Sequence, residues 1–324
     1  MLFRSRIVLL DSSDRIIAVL GGVPPGSEGE EWKENVAQAQ DAVDGFREQS
    51  SFSKSQQHGR RGDFAYRTVG FGYGNGRKQP LNYRVNGVAN QRAVGDLLKN
   101  PAIRRIAGFQ KSIFNCYAHK TYLEYRTTNE ELLRRHPHLR PNFPGSPYAA
   151  LTVNAGPQSY SPPHKDPDNV VHGWCADTAL GKFDPNLGGH LVLWDLGLVI
   201  RFPPGSTILF PSSLITHSTI PIQKGETRFA FIQYSSGGLF RWRANGFKSD
   251  KDFLSKACKE DIREREASRL RRWKVSLGKF TRWGDLLQGD WKGTRRTEAG
   301  LDEFSDLSSS DGELLPAGKR ARRR

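Results

Sequence analysis

Apolar residues recur along the chain with two different periods. Ile7–Leu10 and Ile16–Leu20 are short β-rich runs separated by Asp11-Ser12-Ser13-Asp14, a spacing that predicts a hairpin. Glu30–Gln49 predicts an acidic helix, entered through the breaker-rich stretch Gly21–Gly29. Gln91–Phe114 places Val94, Leu97, Leu98, Ile103 and Ile106 at helical spacing with a break near Pro101, and Leu123–His136 reads as helix ending before Pro137. From Tyr148 onward the pattern shortens. Tyr148–Val153, His190–Leu193, Leu198–Phe202, Ser206–Phe210 and Arg228–Tyr234 read as strands, separated by turns at Gly156-Pro157, Gly188-Gly189 and Pro203-Pro204-Gly205. Short strands punctuated in this way predict a β-sandwich or jelly-roll barrel. Phe253–Phe280 then reads as a basic helical region with Leu270, Trp273 and Leu277 on one face.

These elements divide the chain into five stretches. Residues 1–53 hold the hairpin and acidic helix, 54–144 a basic helical flank, and 145–247 the β core. Residues 248–297 form a basic helical extension, and 298–324 a Ser/Asp/Glu-rich tail without fixed structure. The expected class is α+β, a jelly-roll core buttressed by helices. No internal repeat is present.

Charge changes the picture. The 324 residues carry 49 Lys and Arg against 34 Asp and Glu, net +15. Residues 1–53 sum to −4, 54–140 to +12, 141–240 to −1 and 241–324 to +8, so a nearly neutral segment lies between two basic ones. That distribution fits either a solvated basic surface or an electrostatic footprint for a polyanion around a site in the neutral segment. No run approaches the roughly 18 apolar residues of a membrane span. Three separated cysteines (Cys116, Cys175, Cys258) exclude a disulfide scaffold or cysteine-built zinc module and suit a reducing, intracellular compartment. Gly70–Lys78 is glycine-rich but lacks the ending of a phosphate loop and the GxGxxG spacing, which excludes nucleoside-triphosphate binding. It reads as a flexible aromatic and basic loop, with contact to nucleic acid as the alternative. The terminal cluster Lys319-Arg320-Ala321-Arg322-Arg323-Arg324 suggests nuclear import.

Candidate chemistry lies in the neutral segment. His164-Lys165-Asp166 is followed by His217, and of the eight histidines only His164 has an acid two residues on. Two imidazoles and one carboxylate on one face of a metal leave three positions open, as non-haem Fe(II) oxygenases require. Spacing of two suits an extended strand, where alternate residues share a face. Arg228, eleven residues past His217, is expected on the adjacent antiparallel strand, where its guanidinium could clamp the distal carboxylate of 2-oxoglutarate. The bland alternative is an inert jelly roll in which these histidines are merely satisfied and Arg228 pairs with a surface acid.

Together these features resemble the double-stranded β-helix, the cupin-like jelly roll of Fe(II)/2-oxoglutarate dioxygenases. Thr152-Val153-Asn154, His164 to Asn169, Gly173-Trp174-Cys175, and Arg228 to Gln233-Tyr234 with Gly237-Gly238-Leu239-Phe240-Arg241-Trp242 are similar to the TET/JBP family of nucleic-acid base oxygenases, most nearly its compact fungal members. The similarity is firmest over residues 145–247. It implies Fe(II) on His164, Asp166 and His217, with 2-oxoglutarate on Arg228 and O2 as co-substrate. It also implies a flipped base stacked on Tyr234 and read by Asn169, the last position of HxDxxN. The implied substrate is 5-methylcytosine in double-stranded DNA, converted to 5-hydroxymethylcytosine or further. N6-methyladenine, thymine, a protein or a small molecule are alternatives, as is an inactive nucleic-acid-binding protein that keeps the fold. Two positions depart from the family. Ala230 stands where a serine helps hold 2-oxoglutarate, and Ser236 where a histidine reads the base. The cysteine-rich zinc-binding region of the animal proteins is absent, so the basic flanks would have to grip DNA.

Overall fold

The computed structural model describes residues 6–24, 30–59 and 61–288. The basic cluster Lys319–Arg324 and the expected tail therefore lie outside the described residues. Strands β1 (Ile7–Leu10) and β2 (Ile16–Gly22) form the expected hairpin, followed by α1 (Glu30–Gln49) and the short α2 (Lys54–Gln57). Strands β3 (Ala65–Gly72) and β4 (Leu81–Asn82) precede α3 (Val88–Lys99), α4 (Pro101–Tyr117) and α5 (His119–Arg135). The break near Pro101 is a helix junction. Asn100 closes α3, and its side chain accepts from the Ala102 and Ile103 amides to cap α4, with Pro101 in the first turn where it needs no N–H partner.

Then come β5 (Ala150–Gly156), β6 (Cys175–Lys182), β7 (Leu191–Leu193), β8 (Leu198–Ile200), β9 (Thr207–Phe210), β10 (His217–Thr219) and β11 (Thr227–Tyr234). Helices α6 (Gly237–Ala244), α7 (Asp250–Lys256), α8 (Lys259–Leu277) and α9 (Trp283–Gln288) are the last elements among the described residues. The main sheet runs β1-β2-β9-β6-β11-β5-β3-β4, and a second sheet runs β10-β7-β8. Every pairing in both is antiparallel. The architecture is mixed α/β with a large antiparallel sheet, compatible with a jelly-roll core.

The main sheet is buried on both faces, which gives three layers. One face packs on α1, α3 and α4: Leu151 and Val153 of β5, Leu180 of β6 and Phe229 and Phe231 of β11 meet Trp32, Val36, Ile103, Ile106 and Phe114. The other face meets the small sheet, where Cys175, Ala179, Ile208 and Phe210 contact Leu191, Leu193 and Ile200. A buried polar chain sets the position of α4. Gln110 Nε2 donates to Thr178 Oγ1 at 2.8 Å, Gln233 Nε2 donates to Gln110 Oε1 at 2.8 Å, and Thr178 shares a 2.6 Å bond with Thr207. Gly181 (φ +113°) faces Arg228 across the β6–β11 pair, and a side chain there would collide with the Thr227 carbonyl.

Strands β3, β4, β6 and β10 escape the sequence pattern, and β6 and β3 show why. In β6, Cys-Ala-Asp-Thr-Ala-Leu-Gly-Lys shows no alternation because both its faces are covered. Strand β3 carries Arg67, 3% exposed, whose Nη2 donates to the Ser51 carbonyl at 2.7 Å while the guanidinium lies 5.0 Å from the Phe52 ring. The stretch 54–144 thus supplies sheet as well as helix. On α8, Leu270 and Trp273 of the apolar face point outward, 81% and 63% exposed.

Phe231 has no exposed surface and joins the sheet to the helices. Phe231→Ala is expected to lower the unfolding free energy by about 3–5 kcal/mol in a denaturant titration. Val199→Ala, at an exposed site, should stay within about 0.5 kcal/mol.

Candidate metal centre and substrate cleft

One ligand atom each from His164, Asp166 and His217 come within 4.8 Å of one another, the spread a single ion can bridge. The segment carrying His164 and Asp166 is not a strand of either sheet, contrary to the spacing argument. It is held in extended form by its partners: His164 and His217 exchange backbone hydrogen bonds at 3.0 and 2.9 Å, and the Asp166 amide donates to the Ser212 carbonyl at 2.9 Å. The imidazole centroids are 4.2 Å apart. His164 Nδ1 is bonded to the Pro162 carbonyl at 2.8 Å and His217 Nδ1 to the Ile215 carbonyl at 2.9 Å. A carbonyl accepts only from an N–H, so both rings are fixed in the tautomer that leaves the Nε2 lone pair for a metal. Burial, followed by the neighbouring His164, pulls His217 down to about 4, which keeps it neutral. Two imidazole Nε2 atoms and a carboxylate fit Fe(II).

Arg61 Nη2 donates to Asp166 Oδ1, an ion pair across 105 positions of sequence that no local pattern could reveal. It fixes the carboxylate beside His164, whose Nε2 lies 3.9 Å from the same oxygen.

Arg228 is 2% exposed and lies in the same small cavity, of about 50 Å³. It is not on the strand adjacent to His217, as eleven residues of spacing suggested. Strand β11 pairs with β5 and β6 in the main sheet, β10 pairs with β7 in the small one, and the two residues meet across the cavity. Arg228 Nη1 donates to the Ser159 carbonyl at 2.9 Å, while Nε and Nη2 are buried and have no partner. Those two N–H groups point in parallel, the arrangement that receives a carboxylate.

Asp177 is a functional candidate the sequence did not disclose. It projects from β6 into this cavity between Cys175 and Ala179, and its buried Oδ1 has no partner. Burial pushes its carboxyl up to about 6, against the pull of Arg228 and with help from Asp166. Reading Cys175–Lys182 as a strand would have placed it on the cavity face by alternation. Ala230 lines the cavity too and offers no hydroxyl.

A larger cleft, about 1660 Å³, adjoins the cavity, and Asp166, Asn154 and Ile232 line both. Asn169 and Tyr234 stand on its wall. Tyr234 is pinned through its hydroxyl, 3.2 Å from Thr152 Oγ1, which in turn bonds Thr68 at 2.7 Å. Asn169 Nδ2 donates to Ser212 Oγ at 3.1 Å. The Ser236 hydroxyl is already committed: it accepts from the Tyr73 amide at 3.3 Å and donates to its carbonyl at 3.2 Å. That bond ties down the first residue of the Tyr73–Arg77 loop on the cleft rim.

No protein-family model matches the chain, and no curated protein matches it. Among solved structures it is similar to NgTET1 in complex with 5mC DNA, at 17% identity and a TM-score of 0.50, covering 74% of this chain and 80% of that one. A viral collagen prolyl hydroxylase, vCPH from Paramecium Bursaria Chlorella virus-1 in its 2OG complex, aligns over 33% of this chain and 68% of its own at 18% identity and a TM-score of 0.22. The chain shares the fold of NgTET1.

Two outcomes follow from this geometry. His217→Ala should weaken Mn(II) or Fe(II) binding, read by calorimetric titration, by more than the roughly 10–100-fold that loss of an outer hydrogen-bond partner costs; unchanged affinity would move the metal elsewhere. Protonated Asp177 is the form the fold favours, so its contribution is fully present below pH 4 and is lost as pH rises to about 6. Metal-free protein should lose on the order of 3 kcal/mol of stability across that window through this group, and Asp177→Asn should remove that part of the slope.

Proposed function

We propose that this chain is an Fe(II)/2-oxoglutarate-dependent dioxygenase that oxidises the methyl group of 5-methylcytosine in DNA, built on a double-stranded β-helix formed by its two sheets. The observation that carries the reading is the shared cavity: a two-histidine, one-carboxylate cluster and buried Arg228, which keeps two unpartnered N–H groups, line the same space. A buried guanidinium with two unpartnered N–H groups is costly, and a dicarboxylate that also reaches the metal satisfies both ends of the site. When bound, Fe(II) with 2-oxoglutarate and O2 supplies the power to oxidise an unactivated C–H bond.

The protein's own groups do the rest. His164 and His217 present Nε2, held by their carbonyl bonds, and Arg61 orients Asp166. Arg228 receives the distal carboxylate, with Ser159 fixing its guanidinium. Tyr234, pinned by its hydroxyl, offers its ring to a base rotated out of the helix. The Asn169 amide donates to Ser212, which leaves its carbonyl oxygen to accept from an exocyclic amine such as that of cytosine. Because Ser236 is bound to Tyr73, base-edge reading falls on Asn169. The 5mC DNA held by NgTET1 supports the choice of substrate, and the basic flanks support a polyanionic one. Nuclear import through Lys319–Arg324 belongs to the same proposal.

Succinate release tests it. A duplex carrying 5-methylcytosine should stimulate turnover over its unmethylated counterpart, and Arg228→Met should raise the KM for 2-oxoglutarate at least about a hundredfold. An unchanged KM would remove Arg228 from the co-substrate site, and equal turnover on both duplexes would remove the methyl group as target.

A further inference from the structure

Helix α8 buries none of its 19 residues and yet occupies a definite place. It forms one wall of the cleft that leads to the metal centre, and it is fastened at both ends. Near its start, Arg265 bonds Asp250 at 2.7 Å and Asn245 at 3.2 Å, with its guanidinium 5.1 Å from the Phe253 ring. Near its end, Ser276 bonds His172 at 3.2 Å, His172 bonds Glu124 at 2.9 Å, and Lys279 reaches the same carboxylate at 3.2 Å. His172 lies three residues past Asn169, so the second tie is to the loop that carries the base-reading amide.

Between the ties, Arg269 and Arg272 line the cleft, are exposed, and among the described residues have no ion-pair or hydrogen-bond partner. They follow Arg265 at intervals of four and three, one stripe of the helix. Acids of α8 are confined to its first half, while residues 267–279 hold Arg269, Arg271, Arg272, Lys274 and Lys279 and no acid. The cleft, about 1660 Å³, exceeds the roughly 300–1,000 Å³ of small-molecule sites. A large open groove, a metal cavity at its foot and unpaired guanidinium groups over it suit an extended polyanion.

We propose that α8 is a strap across the cleft, and that Arg269 and Arg272 grip the phosphate backbone of the nucleic-acid strand bearing the reacting base. This rests on the nucleic-acid reading above and adds the surface that performs the grip. Arginine's planar fork suits phosphate oxygens, and such contacts hold the strand in place without reading its sequence. The strap's tie through His172 joins it to the loop that carries Asn169.

The outer face of α8 supplies an internal control. Arg271 and Lys274 carry the same charge but do not line the cleft. Full-length protein would be titrated by fluorescence anisotropy against a labelled duplex containing 5-methylcytosine at several salt concentrations. Arg269→Ala/Arg272→Ala should weaken binding on the order of tenfold and lower the slope of log affinity against log salt by about two. Arg271→Ala/Lys274→Ala, with the same change in net charge, should stay within about threefold. Equal losses in the two pairs, or none in the first, would overturn the strap, as would binding of poly-glutamate as tight as that of the duplex. Succinate release by the unmodified protein separates the two proposals. Binding that depends on Arg269 and Arg272 without succinate release keeps the strap and removes the oxygenase. Succinate release with neither pair affecting affinity removes the strap alone.

Discussion

The register of β11 is the constraint on which the rest depends. Held between β5 and β6, this strand sends Phe229, Phe231 and Gln233 into the helix-facing core, and Arg228, Ala230 and Ile232 toward the cavity, with Tyr234 on the adjoining cleft wall. A slip of one residue would exchange the two sets, burying a guanidinium among aromatic rings and emptying the core of two phenylalanines. The chain guards against that slip with a polar peg, Gln110, which reaches Gln233 and Thr178 from α4. Packing on one face of the sheet thereby fixes the chemistry on the other.

The cavity is a balance of charges that burial makes expensive. Arg228 and Asp177 share the floor, each acting on the other's ionisation, and the His–Asp–His cluster closes the space. Arg61 partners Asp166, whereas the Arg228 Nε and Nη2 groups have no partner. A divalent cation and a dicarboxylate together would add no net charge while engaging those groups, which is the electrostatic reason the two are proposed as a pair. Asp177, its carboxyl pushed up to about 6 by burial, adds a titratable group to that balance.

Much of this was legible in the sequence, and the exceptions share a cause. The hairpin, helices α1, α3, α4 and α5 and most strands follow from the spacing of apolar residues and the turns between them. His164, Asp166 and His217 stood out by residue type and spacing, and the fold brings them together. The reason offered for the spacing did not hold, because a backbone bridge to His217 holds the segment rather than a strand. Arg228 reaches the cavity from the opposite sheet, since a count of residues cannot tell a neighbouring strand from a facing one. Strand β6, and Asp177 with it, was hidden because a strand covered on both faces shows no alternation. Arg61 was beyond reach because its partner lies far along the chain, and the outward turn of Leu270 and Trp273 because helical spacing does not say which face meets the core.

The central claim is oxidation of a methylated base, and nucleoside mass spectrometry tests it most directly. Purified protein would be incubated with Fe(II), ascorbate, 2-oxoglutarate and a duplex carrying both 5-methylcytosine and N6-methyladenine, and the DNA then digested. The account predicts 5-hydroxymethylcytosine that is lost in His217→Ala. Succinate production with every base unchanged would contradict it.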